Sequence, residues 1–84
     1  MNGHSAIDST GRKWIRNSAG RIYTHCIVIS HDDVISHAEW AGRPDLAAKV
    51  AASWRGETHY KTGKPYTAEV IVAVCTPGKR EKVA

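Results

Sequence analysis

The sequence has no phenylalanine, one methionine, three prolines and two cysteines among its 84 residues. It has no apolar run approaching the ~18 residues a membrane span needs, so nothing is expected to cross a bilayer. With six aromatic residues in all, a core must draw on its tryptophans and tyrosines. The N-terminus, Met1-Asn2-Gly3-His4-Ser5, lacks a basic stretch followed by an apolar one and reads as no secretory signal. A cytoplasmic, reducing compartment is therefore the expectation. Internal repeats and low-complexity tracts are absent too, which excludes a solenoid.

Several catalytic signatures are missing as well. There is no Cys-x-x-Cys pair, no His-Glu-x-x-His helix and no Gly-x-Ser-x-Gly elbow. Gly56 and Gly63-Lys64 have the wrong spacing for a phosphate-binding loop. Five histidines invite a metal site, yet His25 and Cys26 are adjacent, and neighbours on a strand point to opposite faces. No metal, cofactor or catalytic residue is assigned, and a non-enzymatic protein is expected. Cys26 and Cys75 sit in apolar runs and read as reduced core thiols. A disulfide between neighbouring strands, or a cross-link between chains, is the sharper alternative.

What is present suffices to fold: 42% of residues are hydrophobic, and the net charge is +4. The whole chain, 1–84, reads as one domain, with flexible ends at 1–11 and 77–84. Residues 12–30 suggest a β-hairpin turning at Asn17-Ser18-Ala19-Gly20. Within it Ile22, Thr24, Cys26 and Val28 alternate with Tyr23, His25, Ile27 and Ile29. Residues 26–29 are apolar on both faces, as in a central strand covered on both sides. Residues 31–41 fit either a strand turning back at Asp32-Asp33 or a short helix. The strand is preferred because Gly42-Arg43-Pro44-Asp45 is a natural strand-to-helix connection. A helix is expected over 45–55, with Asp45 as N-cap, Gly56 closing it, and Leu46, Ala47, Val50, Ala51 and Trp54 as its apolar stripe. Residues 66–75 form the last strand, beside the first central one. The fold class is α+β: a small antiparallel sheet of three to four strands with one main helix packed on one face.

Charge is segregated along the chain. Arg12, Lys13, Arg16 and Arg21 form one basic stretch, and Lys79, Arg80 and Lys82 a second, while 32–45 is acidic. Trp14 and Tyr23 interleave with the first stretch, so cations could neutralise phosphates while rings stack on bases. Equally, Trp14 packs across the sheet and the cations are solvated. The candidate binding residues are Arg12, Lys13, Trp14, Arg16 and Arg21, with Lys61 and Lys64 secondary. Tyr60 and Tyr66 flank the loop holding those two lysines.

Two stretches, Gly20-Arg21-Ile22-Tyr23-Thr24-His25 and Trp40-Ala41-Gly42-Arg43-Pro44-Asp45-Leu46-Ala47-Ala48-Lys49, cover about a fifth of the chain. They resemble short accessory proteins of phages and mobile elements, in which a strand feeds an Ala-rich helix through a Gly-Arg-Pro connection. The resemblance implies stoichiometric binding to host machinery, as in inhibitors of CRISPR–Cas complexes, and transfers no functional residue. The positive charge sets this chain apart from acidic DNA mimics. The expected partner is a nucleic acid or a protein complex that handles it, with no membrane. The alternative is a protein-only interaction module, such as a phage-type inhibitor of a host complex, or a homodimeric scaffold paired across a sheet edge.

Overall fold

A computed structural model describes residues 1–32 and 34–80, excluding the side chains of 34–36. Among them run β1 (Asn2–Ile7), β2 (Lys13–Ser18), β3 (His25–His31), β4 (Val34–Ala41), α1 (Pro44–Arg55), β5 (Tyr66–Val72) and β6 (Val74–Thr76). Asp33 of the expected turn, Lys82 and the tail at 81–84 lie outside the described residues. No helix among those described is long and apolar enough to cross a membrane.

The architecture is α+β, with two antiparallel three-stranded sheets in place of the expected one. Sheet orders are β4-β3-β5 and β2-β1-β6. Strand β3 is central, with Ile27 opposite Glu39 on one side and Val70 on the other. Its alternation separates two cores. Ile27 and Ile29 face α1, where they meet Ala41, Ala47, Ala51 and Ala68, with Val50, Trp54 and Tyr66 at the margin. Cys26 and Val28 face the second sheet, where they meet Ala6, with Trp14, Ala38, Trp40 and Ile71 around them. The layers are thus helix, sheet, sheet, which explains why 26–29 is apolar on both faces. Residues 34–41 are strand, paired antiparallel with β3 and carrying a register shift between Ile29 and Ser30. Asp32 turns the chain with a positive φ of 51°.

Four expectations are corrected. The segment 1–11 is no loose arm: β1 is the centre of its sheet, pairing with β2 and β6. The expected hairpin over 12–30 does not form. β2 pairs with β1, and residues 19–24 are a loop that carries Arg21 and Tyr23 out of any strand. The last strand breaks at Ala73, whose N–H donates to the Thr24 carbonyl (2.9 Å), so that its two halves join different sheets. The helix begins one residue early, because Pro44 has the fixed φ and missing N–H that suit a first helical position. Arg43 is its N-cap without a side-chain bond, and Asp45 lies in the first turn, 3.3 Å from Arg43 Nε.

The true first hairpin turns at residues 8–12 around the Asp8 carboxylate. Its Oδ1 accepts from the Thr10 N–H and hydroxyl and from the Arg12 N–H, and its Oδ2 accepts from the Trp14 indole at 2.8 Å. Gly11, with φ 88°, supplies the left-handed residue the turn requires. These bonds, that from the Thr10 hydroxyl foremost and that from Trp14 next, hold the Asp8 carboxyl down at about 2. A carboxyl depressed in the folded state stabilises fully above its ordinary value of 3.8 and loses that contribution as pH falls through about 2. Wild type should therefore exceed Asp8→Asn in urea midpoint at pH 5, with the gap closing between pH 4 and 2. A gap independent of pH would show that the carboxylate charge contributes nothing.

Candidate binding cleft

Alternation along β2 sorts the basic stretch. Trp14 lies opposite Ala6 and Arg16 opposite His4, both facing the other sheet, whereas Lys13 lies opposite Ile7 on the outer face. Trp14 packs into the core between the sheets, as the packing reading expected, and the Arg12 guanidinium lies 4.0 Å over its ring. That ring face is occupied by the chain's own cation. Lys64 is also engaged, with Nζ 3.0 Å from Asp32. Lys61 is exposed, with Nζ 5.6 Å from the Tyr60 ring, and Arg21 is exposed in the 19–24 loop.

The seven candidates therefore do not form one patch. The loop bearing Lys61 and Lys64 sits at the His31 end of β3, where Thr62 bonds His31 and Tyr66 pairs with it. Arg16 sits at the other end, near Tyr23 and Trp40, the latter paired with Cys26. Six residue steps of strand separate His25 from His31, about 20 Å at ~3.4 Å per residue.

At the Arg16 end a cleft of about 240 Å³ opens between the sheets, lined by Arg16, Tyr23, Ala38, Glu39 and Trp40. The Arg16 guanidinium is 5.6 Å from the Tyr23 ring centroid. Among the described residues no carboxylate pairs with it. The Glu39 carboxylate, which also lines the cleft, is turned to the helix side, where it accepts from the Trp54 indole and lies 3.4 Å from His37 Nε2. Arg16 is therefore the cationic side chain the cleft presents, and Glu39 the anionic one on its helix side.

His4, which composition alone did not single out, supports this cleft from below. It is fully buried, with its ring 5.1 Å from Tyr23 and 6.4 Å from Trp40. The Tyr23 N–H can only donate, so Nε2 accepts it at 2.9 Å, and Nδ1 carries the proton towards the Arg16 carbonyl at 3.1 Å. One side chain thus ties together the backbones of the two residues whose side chains form the cation–ring pair. The only sequence trace of it is the spacing of His4, Ala6 and Asp8, at alternate positions along β1 and into its turn, in a stretch whose one large apolar residue is Ile7.

The thiols are placed for packing. Cys26 is fully buried and free, and burial, with Asp8 and Glu69 nearby, pushes it up to about 12. Cys75 is half-buried and lies opposite His4 in the β1–β6 register, but both nitrogens of that imidazole are already bonded. Among the described residues no three or more His, Cys, Asp or Glu side chains gather to hold a metal ion. Comparison with protein families, with characterised proteins and with solved structures finds no match.

Proposed function

We propose that the chain is a small, non-enzymatic basic binding protein that acts stoichiometrically on a protein complex handling nucleic acid, with the Arg16–Tyr23–Trp40 cleft as its seat. The observation that carries this reading is the unpaired Arg16 guanidinium over Tyr23 at a cleft between two sheets. An arginine and two aromatics at one concave point are what interface hot spots use. The resemblance of 20–25 and 40–49 to phage accessory proteins adds the stoichiometric mode of action, and Tyr23 and Trp40 both fall in those stretches.

Direct binding to nucleic acid is the second reading, favoured by the same cation–ring pair, on which an unstacked base would fit. It is the weaker of the two. Phosphate-tracking surfaces gather cations along a groove, and here Arg12, Lys64 and Arg16 are engaged or separated as described. A tagged pull-down from the native host lysate, split into nuclease-treated and untreated halves, tests both. A defined protein complex is expected to survive nuclease, with recovery at least ten-fold lower for Arg16→Glu and unchanged for Lys61→Glu. Loss of the bound proteins after nuclease, with affinity falling steeply in salt, would transfer the site to nucleic acid.

A further inference from the structure

Among the described residues, four strands lie at the edges of the two sheets: β2, β4, β5 and β6. Unprotected edges recruit further strands, and proteins blunt them with charge, proline, brevity or cover. Two of these are blunted, β6 by having only three residues and β2 by Lys13 and Arg16, and β5 is covered in part where its Ala68 carbonyl is taken by Arg55 Nη2 at 2.6 Å. β4 is eight residues long and contains no lysine, arginine or proline. Its register shift lies at the Ser30 end, so residues 37–41 form a regular stretch. Its one acidic side chain, Glu39, is turned towards Trp54.

Ala38, Glu39 and Trp40 of this same stretch line the cleft that Arg16 and Tyr23 complete. Its volume of about 240 Å³ falls below the ~300–1,000 Å³ of small-molecule sites, and suits a single side chain. An open edge with one side-chain pocket in register is the arrangement of strand addition, where main-chain bonds supply affinity and alternate side chains supply specificity. We infer that β4 accepts an extended peptide segment of a partner protein as a fourth strand of its sheet, with an acidic side chain of that segment entering the cleft to meet Arg16. This rests on the binding reading above and names its partner's chemistry. Charge complementarity decides the residue type: the Arg16 guanidinium has no carboxylate partner among the described residues, whereas Glu39 in the same cleft is already bonded on its helix side, and the chain carries a net charge of +4.

The test selects a displayed library of random dodecapeptides, and in parallel a random single-stranded DNA pool, against the full chain. The expected result is enrichment of peptides sharing one glutamate or aspartate within an extended, β-branched context. Synthetic copies carrying N-methyl amides at successive positions should lose binding at alternate positions only, because every second amide faces β4. Arg16→Glu should weaken the acidic peptide about ten-fold or more and favour a lysine-substituted copy. Indifference to N-methylation, indifference to Arg16→Glu, enrichment of neither pool, or enrichment of DNA dependent on Arg16 would each overturn the inference. A lysate partner retained while the peptide arm fails removes strand addition and leaves the binding reading standing. Loss of both removes the reading itself.

Discussion

Replacing His4 with alanine is expected to destabilise the fold by about 3–5 kcal/mol, from two buried groups left unpaired at roughly 1–3 kcal/mol each together with lost packing. The Tyr23 N–H and the Arg16 carbonyl both lose their partner, and the ring that fills the space between Tyr23 and Trp40 goes with it. Domains gain about 0.05–0.15 kcal/mol per residue in net stability, so an 84-residue chain has little reserve against such a loss. Urea denaturation measures the effect, and hydrogen exchange localises it: the Tyr23 amide should pass from protected to fast-exchanging. His25→Ala is the control. That ring is half-exposed and bonds only the neighbouring Thr24 hydroxyl at 2.8 Å, so under about 1 kcal/mol is expected. Equal costs for the two variants would mean that His4 does not hold the 19–24 loop to β2. Because His4 positions the backbones of Arg16 and Tyr23, its loss also removes the cleft, and binding must be read only where the variant remains folded.

The parts of the fold that were legible in the sequence are those whose burial is local and one-dimensional. Residues 26–29 are apolar on both faces and buried on both, and the β-branched run 70–72 pairs beside them in the central sheet, though Val70 and Val72 stay exposed. Pro44 and the stripe through Ala47, Val50, Ala51 and Trp54 mark the helix and the face it buries. β1 was not legible, because it earns its place through small residues and a histidine whose partners lie 12 and 19 residues away. Its other neighbour, β6, joins some 70 residues later in the chain. Asn17-Ser18-Ala19-Gly20 has turn composition but closes β2 and opens a loop, while the working turn depends on a carboxylate collecting four donors. The run 70–74 looks continuous, yet Ala73 carries it from one sheet to the other. Charge misled for a related reason. Arg12, Lys13, Arg16 and Arg21 are close in sequence, but strand alternation turns Lys13 away and the loop takes Arg21 out of the strand. Arg16 becomes a site only where residues 23 and 38–40 reach it through tertiary structure.

Ile27→Ala is expected to cost about 2–5 kcal/mol, the range for truncating a fully buried branched side chain. Ile27 is wholly excluded from solvent at the middle of the central strand, between Glu39 and Val70 and beneath Ala47 and Ala51 of the helix. Those alanines bring α1 close to the sheet and are themselves too short to fill the space, so a cavity is left. Ile29, one alternate position along, sits in the same layer and should behave similarly. Leu46, 38% exposed on the first turn of the helix, provides the contrast: Leu46→Ala should cost under about 1 kcal/mol. Guanidinium unfolding of the three variants, with the slope held equal to wild type, gives the comparison. If Ile27→Ala and Leu46→Ala were equally mild, α1 would not be docked on the face of β3 that carries Ile27 and Ile29. If Ile27→Ala is severe while Arg16→Glu leaves the midpoint unchanged, the helix–sheet layer carries the stability and the cleft at the far edge of the sheet is free to be altered for binding alone.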